Sequence, residues 1–186
     1  TISDGTATDI ATITITILGA NDAPVAQNDV GVVVEDGTLT VANSANANVT
    51  GNFDATGEHS GDVIHTSLSS RQDTDVDGDD TANLVVSAIR VGGTEGSGTA
   101  GTVGDALTGT YGQLTLNENG SYSYVANQDA ADVLDAGDSA TDVFNYTVSD
   151  GNGGTDTATI TIVILGANDD PIGVNDTDSV NEDATI

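Results

Sequence analysis

Residues Thr8–Asp29 read TDIATITITILGANDAPVAQND, and the same stretch recurs at Thr155–Asp176 as TDTATITIVILGANDDPIGVND. Sixteen of the 22 positions are identical at a constant offset of 147. Within each copy isoleucine alternates with threonine, as in Ile13, Ile15 and Ile17 against Thr12, Thr14 and Thr16. Period two means a strand with one buried face, and β-branched residues suit that backbone. Each strand then runs into a Gly-Ala-Asn-Asp-x-Pro connector.

Working outward, the repeat extends. Glu35-Asp36 returns as Glu182-Asp183 at the same offset, and Ser3-Asp4-Gly5 answers Ser149-Asp150-Gly151 at an offset of 146. The expected organisation is residues 1–22 as the terminal strands and linker of a preceding repeat, 23–169 as a complete unit, and 170–186 as a linker and the first strand of the next. The absence of Met and of a signal peptide is read as an internal piece of a longer polypeptide. So long a unit carries its own core, like a bead on a string.

Other strands are expected at Val30–Val34, Thr38–Val41, Val49–Phe53, Leu84–Val91, Tyr111–Leu116, Ser121–Val125 and Val143–Val148, with turns rich in Gly, Asn and Asp between them. Asn117-Glu118-Asn119-Gly120 reads as a hairpin turn. Val, Ile and Thr make up about a third of the chain, and the one candidate helical turn is Asp129–Ala136. The expected fold is all-β, an antiparallel immunoglobulin-like sandwich repeated in tandem.

Charge removes several functions. Thirty acidic residues face two basic ones, Arg71 and Arg90, for a formal charge of −28. Such a surface repels phosphate backbones, so nucleic-acid binding is not expected. No apolar run reaches the ~18 residues of a membrane span. Zero Cys removes disulfides and thiolate chemistry. The only histidines are His59 and His65; Glu58-His59-Ser60-Gly61 sets His beside Ser without a nucleophile elbow, and no enzyme is expected.

Tyr111-Gly112-Gln113-Leu114-Thr115-Leu116, Asn119-Gly120-Ser121-Tyr122-Ser123-Tyr124, the run Asp142–Gly154 and Gly166-Ala167-Asn168-Asp169-Asp170-Pro171 resemble the VCBS repeat family. That resemblance implies a module of very large secreted bacterial RTX-type adhesins, exported by type I secretion to the cell surface and serving cell adhesion or biofilm formation. Thr74-Asp75-Val76-Asp77-Gly78 with Asn83–Ile89, Val34-Glu35-Asp36-Gly37-Thr38, and Asn21-Asp22-Ala23-Pro24 are similar to the DxD loop, first-strand acidic motif and interdomain linker of cadherins. In that family these elements hold calcium between successive domains. A counterpart of the family's remaining acidic motif is not evident.

The residues support the same chemistry independently. Calcium takes six to eight oxygens, and Asp73-Thr74-Asp75-Val76-Asp77-Gly78-Asp79-Asp80 packs five carboxylates into eight residues. Left bare they repel one another. The 11 residues from Pro24 to Glu35 span about 36 Å when extended, the length of such a domain. A strand leaving the linker at one pole therefore delivers Glu35 and Asp36 to the other, towards Asn168, Asp169 and Asp170. At the near pole Asn21 and Asp22 are expected to meet Asp75 and Asp77. The candidate metal ligands are Asn21, Asp22, Glu35, Asp36, Asp73, Asp75, Asp77, Asp79, Asn168 and Asp169. The expected cofactor is Ca2+, and the expected partners are adjacent repeats of the same polypeptide.

Two rival readings remain open. The insertion at 43–70, with Tyr122, Tyr124, Phe144 and Tyr146 as a stacking platform, suggests a polysaccharide-binding module, although these rings read better as core and strand-edge packing. Residues 1–20 and 172–186 suggest head-to-tail self-association through exposed strand edges. The turn Asn152-Gly153-Gly154-Thr155-Asp156 has a hint of a calcium-binding nonapeptide but reads better as a hairpin.

Overall fold

The computed structural model describes residues 1–42, 49–51, 61–65, 71–78, 80–171, 173–179 and 182. Its elements are β1 (Ile2–Ser3), β2 (Thr8–Asp9), β3 (Asp29–Val34), β4 (Thr38–Val41), β5 (Val49–Gly51), β6 (Val85–Val91), β7 (Ala100–Gly101), β8 (Ala106–Thr108), β9 (Gln113–Leu116), β10 (Tyr122–Val125), β11 (Ser139–Ser149) and β12 (Thr155–Leu165), with one 3-10 turn at Thr81–Asn83. Two five-stranded sheets form a sandwich, one ordered β5-β4-β10-β9-β8 and the other β3-β12-β11-β6-β7. Among the described residues no helix is long and apolar enough to cross a membrane.

The frame is the β11–β12 hairpin, paired over all eleven residues of each strand. Along β12 every second residue is buried: Ala158, Ile160, Ile162 and Ile164 are at most 1% exposed, and the threonines between them face outward. This is the alternation expected from TATITIVIL. β3 joins β12 in parallel, from Asp29 opposite Ile160 to Val34 opposite Leu165, so one pairing departs from the all-antiparallel expectation. Chain direction explains it: β3 starts where β12 starts and runs the same way. Gly31 sits where a Cβ would crowd Leu39 and Tyr122, which lets this strand lie close over the facing sheet.

Tyr122, Tyr124, Phe144 and Tyr146 are all within 1% of full burial. Tyr124 and Phe144 meet edge-on with ring centroids 6.5 Å apart, a favoured geometry. The stacking platform considered above is therefore overturned, because these rings are core. Their hydroxyls are tied inside. Tyr124 donates to Asp142 at 2.6 Å, and the same carboxylate accepts N–H groups of Thr110, Tyr111 and Gly112. Tyr146 donates to Asp29 at 2.7 Å.

Three expectations are corrected. Residues 129–136 form successive turns closed by Ala131 on Gln128 and Leu134 on Ala131, without a helix. The short strands β7 and β8, absent from the sequence reading, flank the sheets. The Thr8–Leu18 strand is formed only at Thr8–Asp9, where it pairs with Ile2–Ser3; beyond that point Ile13, Ile15 and Ile17 are more than 80% exposed. Most of the 43–70 insertion lies outside the described residues, as do Asp79 and His59.

Candidate metal centre

The linker enters at one pole and is fastened there before β3 begins. Val25 and Thr74 exchange two backbone hydrogen bonds, 2.8 and 3.1 Å, clamping the linker to the acidic loop. The Asp22 N–H donates to Asp77 Oδ2 at 2.9 Å, and the Asn21 carboxamide donates to Asp150 Oδ2 at 2.9 Å. Gly154 makes the third side possible, since a Cβ there would collide with Asp150 and approach the Asp22 carbonyl.

Within this pole Asp75, Asp77 and Asp80 converge, with one carboxylate oxygen from each lying within 4.8 Å of the others. The loop is shaped by its own hydrogen bonds. Asp75 Oδ1 accepts the Asp77 N–H, and Thr81 brackets Asp75 by accepting from its N–H and donating to its carbonyl. Asp80 is held from the β11–β12 turn, where the Asn152 carboxamide donates to both of its oxygens at 3.0 and 3.1 Å. Asp75 is 9% exposed, and its Oδ2 is buried without a hydrogen-bond partner. A buried anionic oxygen with no donor is costly unless a cation completes it. None of the three carboxylates has an ion-pair partner among the described residues. Oxygen-only donors, three negative charges and an orphaned oxygen fit a hard divalent cation.

Asp150 belongs to the same pole. Asn21, together with the N–H groups of Asn152, Gly154 and Gly153, holds its carboxyl below the usual carboxylate range. Neither Asp150 nor Asn152 is among the ligands expected from sequence, because turn chemistry accounts for Ser-Asp-Gly-Asn-Gly-Gly on its own. Asp80 lies in the acidic run 73–80 but outside the expected ligand set. The usable signal was the recurrence of Ser-Asp-Gly in step with the linker.

Asp73 is not brought to the cluster. It is 1% exposed, and its Oδ1 accepts the Gln27 N–H at 2.7 Å. It sits in an interior acidic set with Asp29 and Asp62, and with Asp156, which accepts from the Ala26 N–H. Burial first, then the charges of Asp29, Asp156 and Asp62, push Asp73 up to about 8 against the opposing Gln27 bond.

At the opposite pole Glu35 is 4% exposed and accepts the Ala167 N–H through Oε1, while Oε2 is buried and without a hydrogen-bond partner. This fixes the end of β3 to the outgoing linker, as the 36 Å estimate required. Asp36 is exposed with φ +56°. Asn168 and Asp169 are exposed, and Asn168 donates to the carbonyl of Asp169; no hydrogen bond joins their side chains to Glu35 or Asp36. The turn at 134–138 lies against this linker, with the Gly166 N–H on the Asp138 carbonyl at 3.0 Å. Among the described residues His65 has one carboxylate neighbour, Asp62 at 3.6 Å.

Compared with known proteins, the chain matches the model of one family, described as bacterial cadherin-like domain, over residues 21–166. No curated protein matches it.

Proposed function

The chain belongs to the bacterial cadherin-like domain family, and from that premise we propose that it is an extender module, a calcium-stiffened bead in a tandem array on an extracellular bacterial surface protein. The array projects a distal binding domain for cell adhesion or biofilm formation. Members of the family are structural rather than enzymatic modules, in keeping with a site made of carboxylates and amides.

One observation carries this reading: Asp75, Asp77 and Asp80 converge beside a linker whose Asp22 N–H is bound to Asp77. Asp75, Asp77 and Asp80 would hold the ion, with Asp150 and Asn152 orienting the linker and Asp80 around it. The ion would supply positive charge where three carboxylates otherwise repel, so the linker is gripped when calcium is present and loosened when it is not. Extracellular modules bind calcium at roughly 10⁻⁴–10⁻³ M, so stiffening follows exposure to the outside medium. The lack of Cys suits a chain exported unfolded through a secretion channel.

Hydrogen exchange tests the grip directly. The Asp22 and Val25 amides should exchange more slowly in calcium than in chelator. Equal exchange in both would mean that the junction is not stiffened by the cation.

A further inference from the structure

A second set of oxygens lies inside the sandwich, where separate stretches of chain meet. Gln27 ends the linker, Asp29 opens β3, Asp73 heads the acidic loop and Tyr146 stands on β11. Asp29 and Asp73 are 2% and 1% exposed. Tyr146 Oη lies 2.7 Å from Asp29 Oδ2, 3.0 Å from the Gln27 carbonyl and 3.1 Å from the Val63 carbonyl. A hydroxyl has one hydrogen to give. Given to Asp29, it leaves both carbonyl oxygens facing a bare oxygen. Asp73 Oδ1 accepts the Gln27 N–H, but its Oδ2 is buried without a hydrogen-bond partner, and no ion pair reaches Asp73 among the described residues.

The facing sheet adds an independent sign. Tyr122, on β10, is 1% exposed, and its hydroxyl is also buried without a partner. A Cβ on Gly31 would come within 2.9 Å of that hydroxyl, and Gly31 shares the inward face of β3 with Asp29. Burial, then the charges of Asp29 and Asp62, push the Tyr122 hydroxyl up. Asp62 itself is turned to the N–H groups of Ile64 and His65.

We propose that these oxygens form a second site for a hard divalent cation of the calcium class, inside the sandwich and separate from Asp75, Asp77 and Asp80. Asp29 and Asp73 are its anionic ligands, the Gln27 and Val63 carbonyls its neutral ones, and Tyr146 and Tyr122 border it. Calcium takes carboxylate and carbonyl oxygens together, and in its shell neighbouring ligand oxygens stand about 3 Å apart. The spacings around Tyr146 are of that size. The ion answers the unpartnered Asp73 oxygen and offsets buried negative charge that is otherwise costly. In chelator Asp73 holds a proton instead. The ion is taken up as the chain folds and staples the linker, β3, β11 and the acidic loop from within, in a chain that has no disulfide. The grip on the linker at the pole uses other carboxylates, so either site can fail alone.

Terbium(III), a luminescent stand-in for calcium, tests this in the full chain, because an adjacent tyrosine sensitises its emission. Refolded with terbium and excited through tyrosine, the chain should emit with nearly the same lifetime in light and heavy water, the mark of an ion without bound water. Excess calcium present during refolding should remove that emission. Asp29→Asn and Asp73→Asn should each lose it, and Asp77→Asn should keep it. Circular dichroism in chelator should show both Asn variants folded, so that lost emission is not lost structure. The lifetime comparison needs no variant. The proposal is overturned if tyrosine-sensitised emission is absent, if its lifetime lengthens severalfold in heavy water, or if it vanishes with Asp77→Asn and survives Asp29→Asn and Asp73→Asn.

Discussion

The carboxamide of Asn21 donates a 2.9 Å hydrogen bond to the carboxylate of Asp150, 129 residues further along the chain. It ties the incoming linker to the β11–β12 turn, and that turn in turn holds Asp80 through Asn152. One side chain thus couples the linker to the acidic cluster. Asp150→Ala should speed exchange of the Asp22 amide by about tenfold and weaken calcium binding, while leaving protection in β11 unchanged. The sign with pH follows from the depressed carboxyl: the lock is complete at neutral pH and is lost as pH falls below the usual carboxylate range.

Substituting the cluster should change stability in opposite directions with and without metal. In chelator Asp77→Asn relieves repulsion and should be at least as stable as the parent. In calcium it removes a ligand, lowers affinity by roughly tenfold, and should be less stable. Paired thermal melts in the two media check the crossing.

Asp73 titrates in the other sense. Its carboxyl, raised from 3.8 to about 8, keeps its proton in the folded chain at neutral pH, whereas the unfolded chain has lost it. The contribution to stability is full below about pH 4 and is lost as pH rises through 8. Asp73→Asn removes this titration, so denaturant unfolding in chelator should show the variant gaining on the parent between pH 5 and 8.5. Parallel profiles would mean that Asp73 is ionised in the fold.

Asp142 is 4% exposed and accepts four hydrogen bonds, one from Tyr124 and three from backbone N–H groups. Asp142→Ala orphans all four donors and should cost about 3 kcal/mol or more, with or without calcium; Tyr124→Phe should cost about 1 kcal/mol. Urea titration measures both.

The twin segments give the cleanest contrast. Ile160→Ala should cost about 2–5 kcal/mol, and Ile13→Ala should stay within about 0.5 kcal/mol of the parent, although the two isoleucines have the same neighbours in sequence.

That contrast marks what could be read in advance. Alternation placed Ile160, Ile162 and Ile164 facing inward, and they are buried; it set Tyr122 and Tyr124 on one shared face, and that face is core. The same alternation at Ile13–Ile17 gave no continuous strand, because a strand is stabilised by the neighbours it pairs with. β7 and β8, of two and three residues, are too short to show a period. In the site, chain length alone carried Glu35 to the far linker. Asp73 stands apart from the cluster for a local reason: the Val25–Thr74 bridge turns the loop's first carboxylate inward against Gln27, so only Asp75, Asp77 and Asp80 of its described members face one another.

The most direct check on the central claim is the melting temperature of the unaltered chain in about 10 mM calcium and in chelator. With a dissociation constant of roughly 10⁻⁴–10⁻³ M, binding adds about 1.4–2.7 kcal/mol. For a chain of this size the predicted rise is roughly 3–10 °C. Superimposable melting curves in the two media would contradict a cation at Asp75, Asp77 and Asp80.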